Sequence, residues 1–429
     1  MKAGEVESRA TGKVLRRLVP VTMALYCFNY LDRVNVSFAK LQMNKNLGFS
    51  ENIYALGASI FFIGYMLFEL PSNLLMQRFG ARRWISRIMI SWGVVSAAMM
   101  LVKTPATFYF LRFLLGLAEA GFFPAIILYF SYWIPAKRRT VVSAWFLTSL
   151  AISGMLGGPI AGTLLGIHGA GLAGWQWLFL LEGIPTVLLG FAAWWLLPNG
   201  PADAKWLDAE ERDALLEAIR TEHAAQRPDA QSLGFALSNP SVWWLALLYG
   251  AIMFAFYGLG FWTPSIIKNI SGGSNAVVGW LSAIPFAMAV VGMLAIAYAA
   301  DATGSRLGYA TASLILGAAG MLSCAFCAST LGMILSLSIA AVGVYGSLGP
   351  FWAVPPALLR GSAAAAGIAI INSIGNLMGG LIGPNVMAYL HGRNNSYKLG
   401  LLANCGVLVA AALLSKVLAG RQSRPAKTV

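Results

Sequence analysis

The chain has 429 residues, 58% of them hydrophobic and only 11% charged, with a mean hydropathy of +0.70; a soluble domain carries about 25% charged residues, so the composition excludes one. The formal net charge is +14, but its placement along the chain follows membrane sidedness, which excludes a nucleic-acid surface as its reason. Outer-membrane strand alternation is absent, so an all-α integral membrane protein is predicted.

Twelve apolar segments reach roughly the 20 residues needed to cross about 30 Å of hydrocarbon. They lie near 17–39, 52–76, 84–102, 106–133, 141–167, 175–197, 241–267, 275–300, 308–328, 331–357, 362–390 and 397–419. With the N-terminus placed in the cytoplasm, 22 of the 30 Lys and Arg fall in cytoplasmic segments. Lys40, Lys45, Lys103, Lys268, Arg393 and Lys398 fall outside, and Arg33 and Arg112 lie within spans. This positive-inside pattern places both termini in the cytoplasm.

The first span is too long for a cleavable leader and carries Asp32, with Asn29, Tyr30 and Arg33 beside it. The second contributes Tyr65 near its middle and Glu69 near the inner boundary, where a structural role is expected. The loop that follows, QRFGARR, holds Arg78, Gly80 and Arg82. The fourth span carries Arg112 and Glu119, seven residues apart and therefore on one helix face, about 10 Å apart along the axis. Counting about 1.5 Å per residue puts Asp32, Arg33 and Arg112 in the outer half of the bilayer and Glu119 near its centre. A central charge costs about 2.5–3.5 kcal/mol on insertion scales, and apolar residues often stabilise as well as a buried ion pair. A functional cavity is therefore expected, in which an Arg fork binds an anion and a carboxylate takes a proton.

The fifth span carries GMLGGPIAG, with Gly158 and Pro159. Small residues at helical spacing allow close approach, and the Pro frees a carbonyl. Glu182 in the sixth span is expected to be structural. Residues 198–239 break the apolar rhythm with a charged stretch containing DAEERDALLEAIR, read as a cytoplasmic linker with one amphipathic helix. The predicted organisation is a six-helix bundle over 1–197, that linker, and a second six-helix bundle over 240–429.

The second half echoes the first at a shift of about 220 to 225 residues. Gly383-Pro384 matches Gly158-Pro159, DATGSR with Asp301 matches QRFGARR, and Arg360 matches the KRR at 137–139. Two parallel repeats place a site between them near the midplane. Tyr257, Trp352, Asn372 and Asn376 are the second half's candidates for it. Cys27, Cys324, Cys327 and Cys405 all fall in apolar spans, and the three His do not cluster, so no metal and no cofactor is expected.

The segments FNYLDRVNVSFA (28–39), FFIGYMLFELPSNLL (61–75), RFLLGLAEAGFFPAIILYFSYWIP (112–135), LAGWQWLFLLEGIP (172–185) and AAAAGIAIINSIGNLMGG (363–380) resemble the major facilitator superfamily. Within it they resemble the anion:cation symporters, nearest to bacterial permeases for tartrate, phthalate and 4-hydroxyphenylacetate. The resemblance implies proton-coupled uptake of an organic anion in the bacterial inner membrane. It matches the proton-taking acids to Asp32 and Glu119, the substrate-contacting arginine to Arg33, and the arginine that tunes the acid to Arg112. It matches pocket positions to Tyr30, Tyr65, Trp352 and Asn372. One departure is Gln77, where the superfamily loop usually has an acid before Arg78.

The expected device is an ionic switch. Protonation of Glu119 frees Arg112 for the anion, and proton release restores the pair. The expected partners are a proton, a small organic carboxylate and lipid, with no nucleic acid and a monomeric chain. The aromatic AIMFAFYGLGFW and GPFWAVPP stretches favour a monocyclic aromatic acid, with a hydroxy-diacid such as tartrate as the alternative. Anion exchange or export without a proton is the rival within transport; a membrane enzyme or sensor is the rival outside it.

Overall fold

The computed structural model describes residues 3–225, 237–355 and 362–422, and among them there is no β-strand. The helices are α1 (Ala3–Leu47), α2 (Glu51–Phe79), α3 (Ala81–Ala98), α4 (Pro105–Glu119), α5 (Phe122–Ser131), α6 (Ala136–Leu164), α7 (Gly174–Leu196) and α8 (Ala209–Ala225). They continue as α9 (Pro240–Ser271), α10 (Asn275–Thr303), α11 (Arg306–Phe326), α12 (Thr330–Gly346), α13 (Leu348–Trp352), α14 (Ser362–Leu377), α15 (Gly383–Asn394) and α16 (Lys398–Gln422). Ten passages among the described residues are long and apolar enough to cross a membrane. The other two expected spans lie in α1, which carries Asn29, Asp32, Arg33 and Asn35 centrally, and in the interrupted α14–α15 passage. Large apolar side chains such as Leu67, Val94, Leu188, Trp195 and Val291 stand exposed, as lipid-facing positions do.

Three passages expected as single helices are broken. Gly121, at φ +86°, separates α4 from α5, and a Cβ there would come within 2.4 Å of Ser72 Oγ. Glu119 is therefore the last residue of α4, at the break. Ser347 divides α12 from α13, and a π-helical turn over Met378–Ile382 divides α14 from α15 just before Gly383-Pro384. Proline removes one backbone donor, and the wider turn absorbs the change. Its first-half counterpart, Pro159, sits inside an unbroken α6.

Without water in the bilayer, helices associate by packing rather than by the hydrophobic effect. The glycines supply the close approach. A Cβ on Gly158 would lie 2.4 Å from Gly279 O, and one on Gly279 would lie 2.2 Å from Gly158 O. These two residues place α6 directly against α10, across the two halves. Within the second half, Gly383 packs on the Phe254 backbone, where a Cβ would lie 3.1 Å from Phe254 O, and Pro384 is buried beside it. Other contacts between the halves join α1 to α9, and α2 to α14 and α15.

The linker is docked on the first half. Glu211 of α8 is fully buried between Arg9 and Lys13 of α1, at 3.0 and 2.8 Å. Trp206 stacks on Trp133 at 5.7 Å, with the Arg17 guanidinium over its ring. Burial alone would raise the Glu211 carboxyl, but the hydrogen bond and charge of Lys13, with Arg9, outweigh it and hold it below the ordinary carboxylate value. The α2–α3 loop is also tied to the linker's start: Arg82 Nε donates to Leu197 O at 3.0 Å, and Arg82 N to Asn199 Oδ1 at 3.1 Å. Gly80 takes φ +86° under Asn199, and Arg78 lies over the Phe79 ring. The side chains of Gln77 and of residues 137–139, and all of Arg360, lie outside the described residues.

Candidate functional site

A small cavity lies between the halves. Its walls come from Tyr26, Tyr30 and Arg33 on α1, Tyr65 on α2, Phe123 on α5, Leu147 and Leu150 on α6, and Tyr249, Met253, Phe256 and Tyr257 on α9. Leu348 and Trp352 of α13 and Asn372 and Asn376 of α14 complete it. Seven expected residues meet here: Tyr30, Arg33, Tyr65, Tyr257, Trp352, Asn372 and Asn376. The free space is about 30 Å³, room for a few waters at roughly 10–15 Å³ each but not for an organic acid. The far end of the bundle, opposite the termini, is sealed above it. Lys40 pairs with Glu51 at 2.6 Å and lies 3.9 Å over the Trp262 ring, Tyr54 donates to Phe261 O at 3.1 Å, and Asn385 donates to Ser59 at 2.7 Å. Phe62 meets Tyr257 edge to face.

The charged centre differs from the expected pairing. Arg33, not Arg112, holds Glu119: its Nε donates to Oε1 at 3.0 Å, and Nη2 contacts the same oxygen. Arg33 Nη1 donates to the Tyr257 hydroxyl at 3.3 Å, which crosses to the second half. Glu119 is fully buried, and among the described residues Arg33 is its ion-pair partner. Arg112 is fully buried outside the cavity. It donates to the carbonyls of Gly57 and Ala58 at 3.1 and 3.2 Å. The reason is the packing of α2 on α4: a Cβ on Gly116 would stand 2.0 Å from Phe61 O, so the α2 backbone lies within reach of the α4 guanidinium. The Phe61 ring then separates the two arginines, at 5.2 Å from Arg33 and 4.9 Å from Arg112.

Asp32 also leaves the cavity, because its neighbour Arg33 takes the inward face and successive residues differ by about 100° around a helix. Its carboxylate points between α3 and α7 and accepts from Trp92 Nε1 at 2.7 Å, Ser96 Oγ at 2.9 Å and Thr186 Oγ1 at 2.9 Å. Glu182 adjoins this cluster and accepts from Asn35 at 2.9 Å. The two expected proton sites are thus separate environments: Glu119 is held by Arg33 of the cavity wall, and Asp32 lies among α3 and α7.

Residues absent from the sequence-based expectation are Tyr26, Phe123, Leu147, Leu150, Tyr249, Met253, Phe256 and Leu348. The spacing 26, 30, 33 on α1 and 249, 253, 256 on α9 is the helical repeat of one face, and it was the available signal for them. A wider, mainly apolar cleft of about 400 Å³ opens beside the cavity toward the termini end, with Leu147 lining both. Asp301 and Arg306 stand at its rim, and Arg306 donates to Ala353 O at 2.8 Å.

The Major Facilitator Superfamily model matches residues 22–384. The chain belongs to that superfamily. It is a multi-pass membrane transporter and not an enzyme. Among its relatives, a protein of Agrobacterium vitis provisionally named a tartrate transporter is 44% identical over 425 residues, covering 99% of this chain and 94% of the relative. A quinolone resistance transporter of Acinetobacter baumannii is 39% identical over 411 residues, covering 95% and 94%. Among solved structures, a bacterial homologue of the human lysosomal transporter Spinster, inward-facing and occupied, superposes with a TM-score of 0.75 at 17% identity, covering 96% of this chain and 98% of that one. That likeness carries the major facilitator fold.

Proposed function

We propose that this transporter is a proton-coupled symporter that imports a small organic carboxylate across the bacterial inner membrane, with both termini in the cytoplasm and a single chain sufficing. The observation that carries the reading is Arg33 on the wall of a cavity between the halves, paired with the buried Glu119 behind it. A proton added to Glu119 leaves Arg33 without its anion, and the carboxylate of the substrate takes that place. Loss of the proton restores the pair and expels the substrate. Binding of proton and anion is thereby linked at one guanidinium. Asp32, with its three donors, is the second proton site. The halves over 1–197 and 240–429 rock about α6 and α10, and the cleft beyond Leu147 is the release route to the cytoplasm.

The cavity favours a hydroxylated acid over the aromatic acid that the helix composition suggested. Arg33, Tyr257, Asn376 and Asn372 form one continuous polar wall, and the relative named for tartrate supports the same class. The aromatic residues pack largely on one another, as Tyr257 does on Phe261 and Tyr249 on Phe351. The test is uptake by proteoliposomes under an inward proton gradient, with labelled tartrate competed by benzoate-type acids and a hexonate. Uphill uptake abolished by a protonophore supports symport, and gradient-independent exchange refutes it. A second reading, export, is favoured by the relative named for quinolone resistance; drug-dependent proton movement out of everted vesicles would establish it.

A further inference from the structure

Glu69 belongs to none of the groups assigned above. It lies on α2 one turn beyond Tyr65, toward the termini end, and is 6% exposed. No ion pair reaches it among the described residues. Its two oxygens instead accept from the opposite half: Oε1 from Asn372 Nδ2 at 2.9 Å and Oε2 from Ser373 Oγ at 2.7 Å.

These contacts close a longer sequence of hydrogen bonds. Arg33 Nη1 donates to Tyr257, Tyr257 donates to Asn376 Oδ1 at 2.7 Å, Asn376 Nδ2 donates to Asn372 Oδ1 at 3.0 Å, and Asn372 Nδ2 donates to Glu69. Guanidinium is a donor only, and carboxylate is an acceptor only. With one at each end, every member between them has a single orientation. Without the acceptor end, the Asn372 amide can turn over, since oxygen and nitrogen exchange places at little steric cost, and it would then set its nitrogen against that of Asn376, whose Nδ2 donates to Asn372 O at 3.0 Å. Four of the five residues in this sequence line the cavity wall that faces the substrate.

We propose that Glu69 is the positioning residue of the binding cavity. Its carboxylate fixes which atoms of Asn372, Asn376 and Tyr257 face the transported anion, and it ties α2 to α14 on the termini side. The proposal rests on the symporter reading for its substrate, but not for its geometry. Glu69 draws the Asn372 amide nitrogen toward itself, so the amide oxygens of Asn372 and Asn376 face back along the wall and accept from Asn376 and Tyr257. Breaking the two Glu69 contacts is also a requirement for the halves to part on that side.

The test uses the purified full-length protein, with tartrate as the probe. Glu69→Leu removes the acceptor and weakens tartrate binding about 10- to 100-fold, as expected for unmatched buried polar groups. Asn372→Asp sets two carboxylates against each other and weakens it at least as much. The decisive variant combines Glu69→Gln with Asn372→Asp. The carboxylate then sits one link earlier, accepts from Asn376 as before, and accepts from the new glutamine on its other side. Binding returns to within a few-fold of wild type. A double variant no better than Asn372→Asp alone, or Glu69→Leu binding as wild type does, overturns the proposal. Apparent melting temperature without tartrate is the second readout, with the same order expected: low for Asn372→Asp, restored in the double variant. Wild-type protein that binds no tartrate counts against the substrate reading alone, and the melting series then decides the role of Glu69.

Discussion

Replacing Arg33 by lysine keeps the charge and removes the fork. The guanidinium uses Nε and Nη2 on Glu119 and Nη1 on Tyr257, so one side chain serves an acid of its own half and a hydroxyl of the other. An ammonium carries its three donors on one nitrogen and lacks the planar fork whose separate nitrogens reach Glu119 and Tyr257 together. A hydrogen bond to a charged group contributes about 1.5–3 kcal/mol, and each 1.4 kcal/mol is about tenfold in affinity. Arg33→Lys is therefore expected to weaken carboxylate binding about 10- to 100-fold, while Arg33→Ala abolishes measurable binding. Equilibrium binding of labelled tartrate to detergent-solubilised protein gives the Kd, and counterflow in proteoliposomes shows whether the halves still alternate. Unchanged Kd in both variants would show that this guanidinium is not the anion anchor and would refute the exchange of substrate for Glu119 at Arg33.

Glu119→Gln and Asp32→Asn should each stop uphill uptake driven by a pH gradient, with at least one keeping counterflow, because a neutral amide imitates a protonated carboxyl; two variants that still accumulate substrate would remove these acids from coupling. Gly158→Leu should block transport, since even a Cβ there stands 2.4 Å from Gly279 O, whereas Gly392→Ala, with open space around it, should transport normally; equal rates for the two would show that the α6–α10 contact does not limit rocking. Glu211→Gln should undock α8, read as faster hydrogen exchange over 209–225 and as loss of the salt sensitivity of that exchange. The pH window follows from the signs. Glu211 is held below its ordinary 4.5, so its contribution is complete above that value and is lost as pH falls through the lowered one. Lys13 is raised above its ordinary 10.5, the Glu211 hydrogen bond being the largest cause, so its contribution is complete below 10.5 and is lost only at higher pH. Docking that weakens between pH 5 and 9 would contradict this account.

Much of the architecture is legible in the chain alone, because a bilayer imposes few solutions. Apolar length, the placement of Lys and Arg, and the self-similarity of the halves specify spans, orientation and an interface between repeats before any contact is known. The same economy exposes the site. A charge inside an apolar helix is costly enough that Asp32, Arg33, Arg112 and Glu119 stand out as functional or paired. Spacing along one helix also tells which residues share a face, and Tyr26, Tyr30 and Arg33 do share one. It does not tell what that face meets. Arg112 and Glu119 lie on one face of α4, yet their partners were decided by the rotation of α4 against α2 and α1. Gly116 brings the α2 carbonyls to Arg112, and α1 brings Arg33 to Glu119. Glu69 shows the same limit from the other side. Its sequence neighbours mark it only as an acid near a span boundary, and its partners lie about 300 residues away on α14. Hydrogen-bond pairing between helices depends on their relative depth and rotation, which small residues at the contacts set, and that information exists only once the helices are packed.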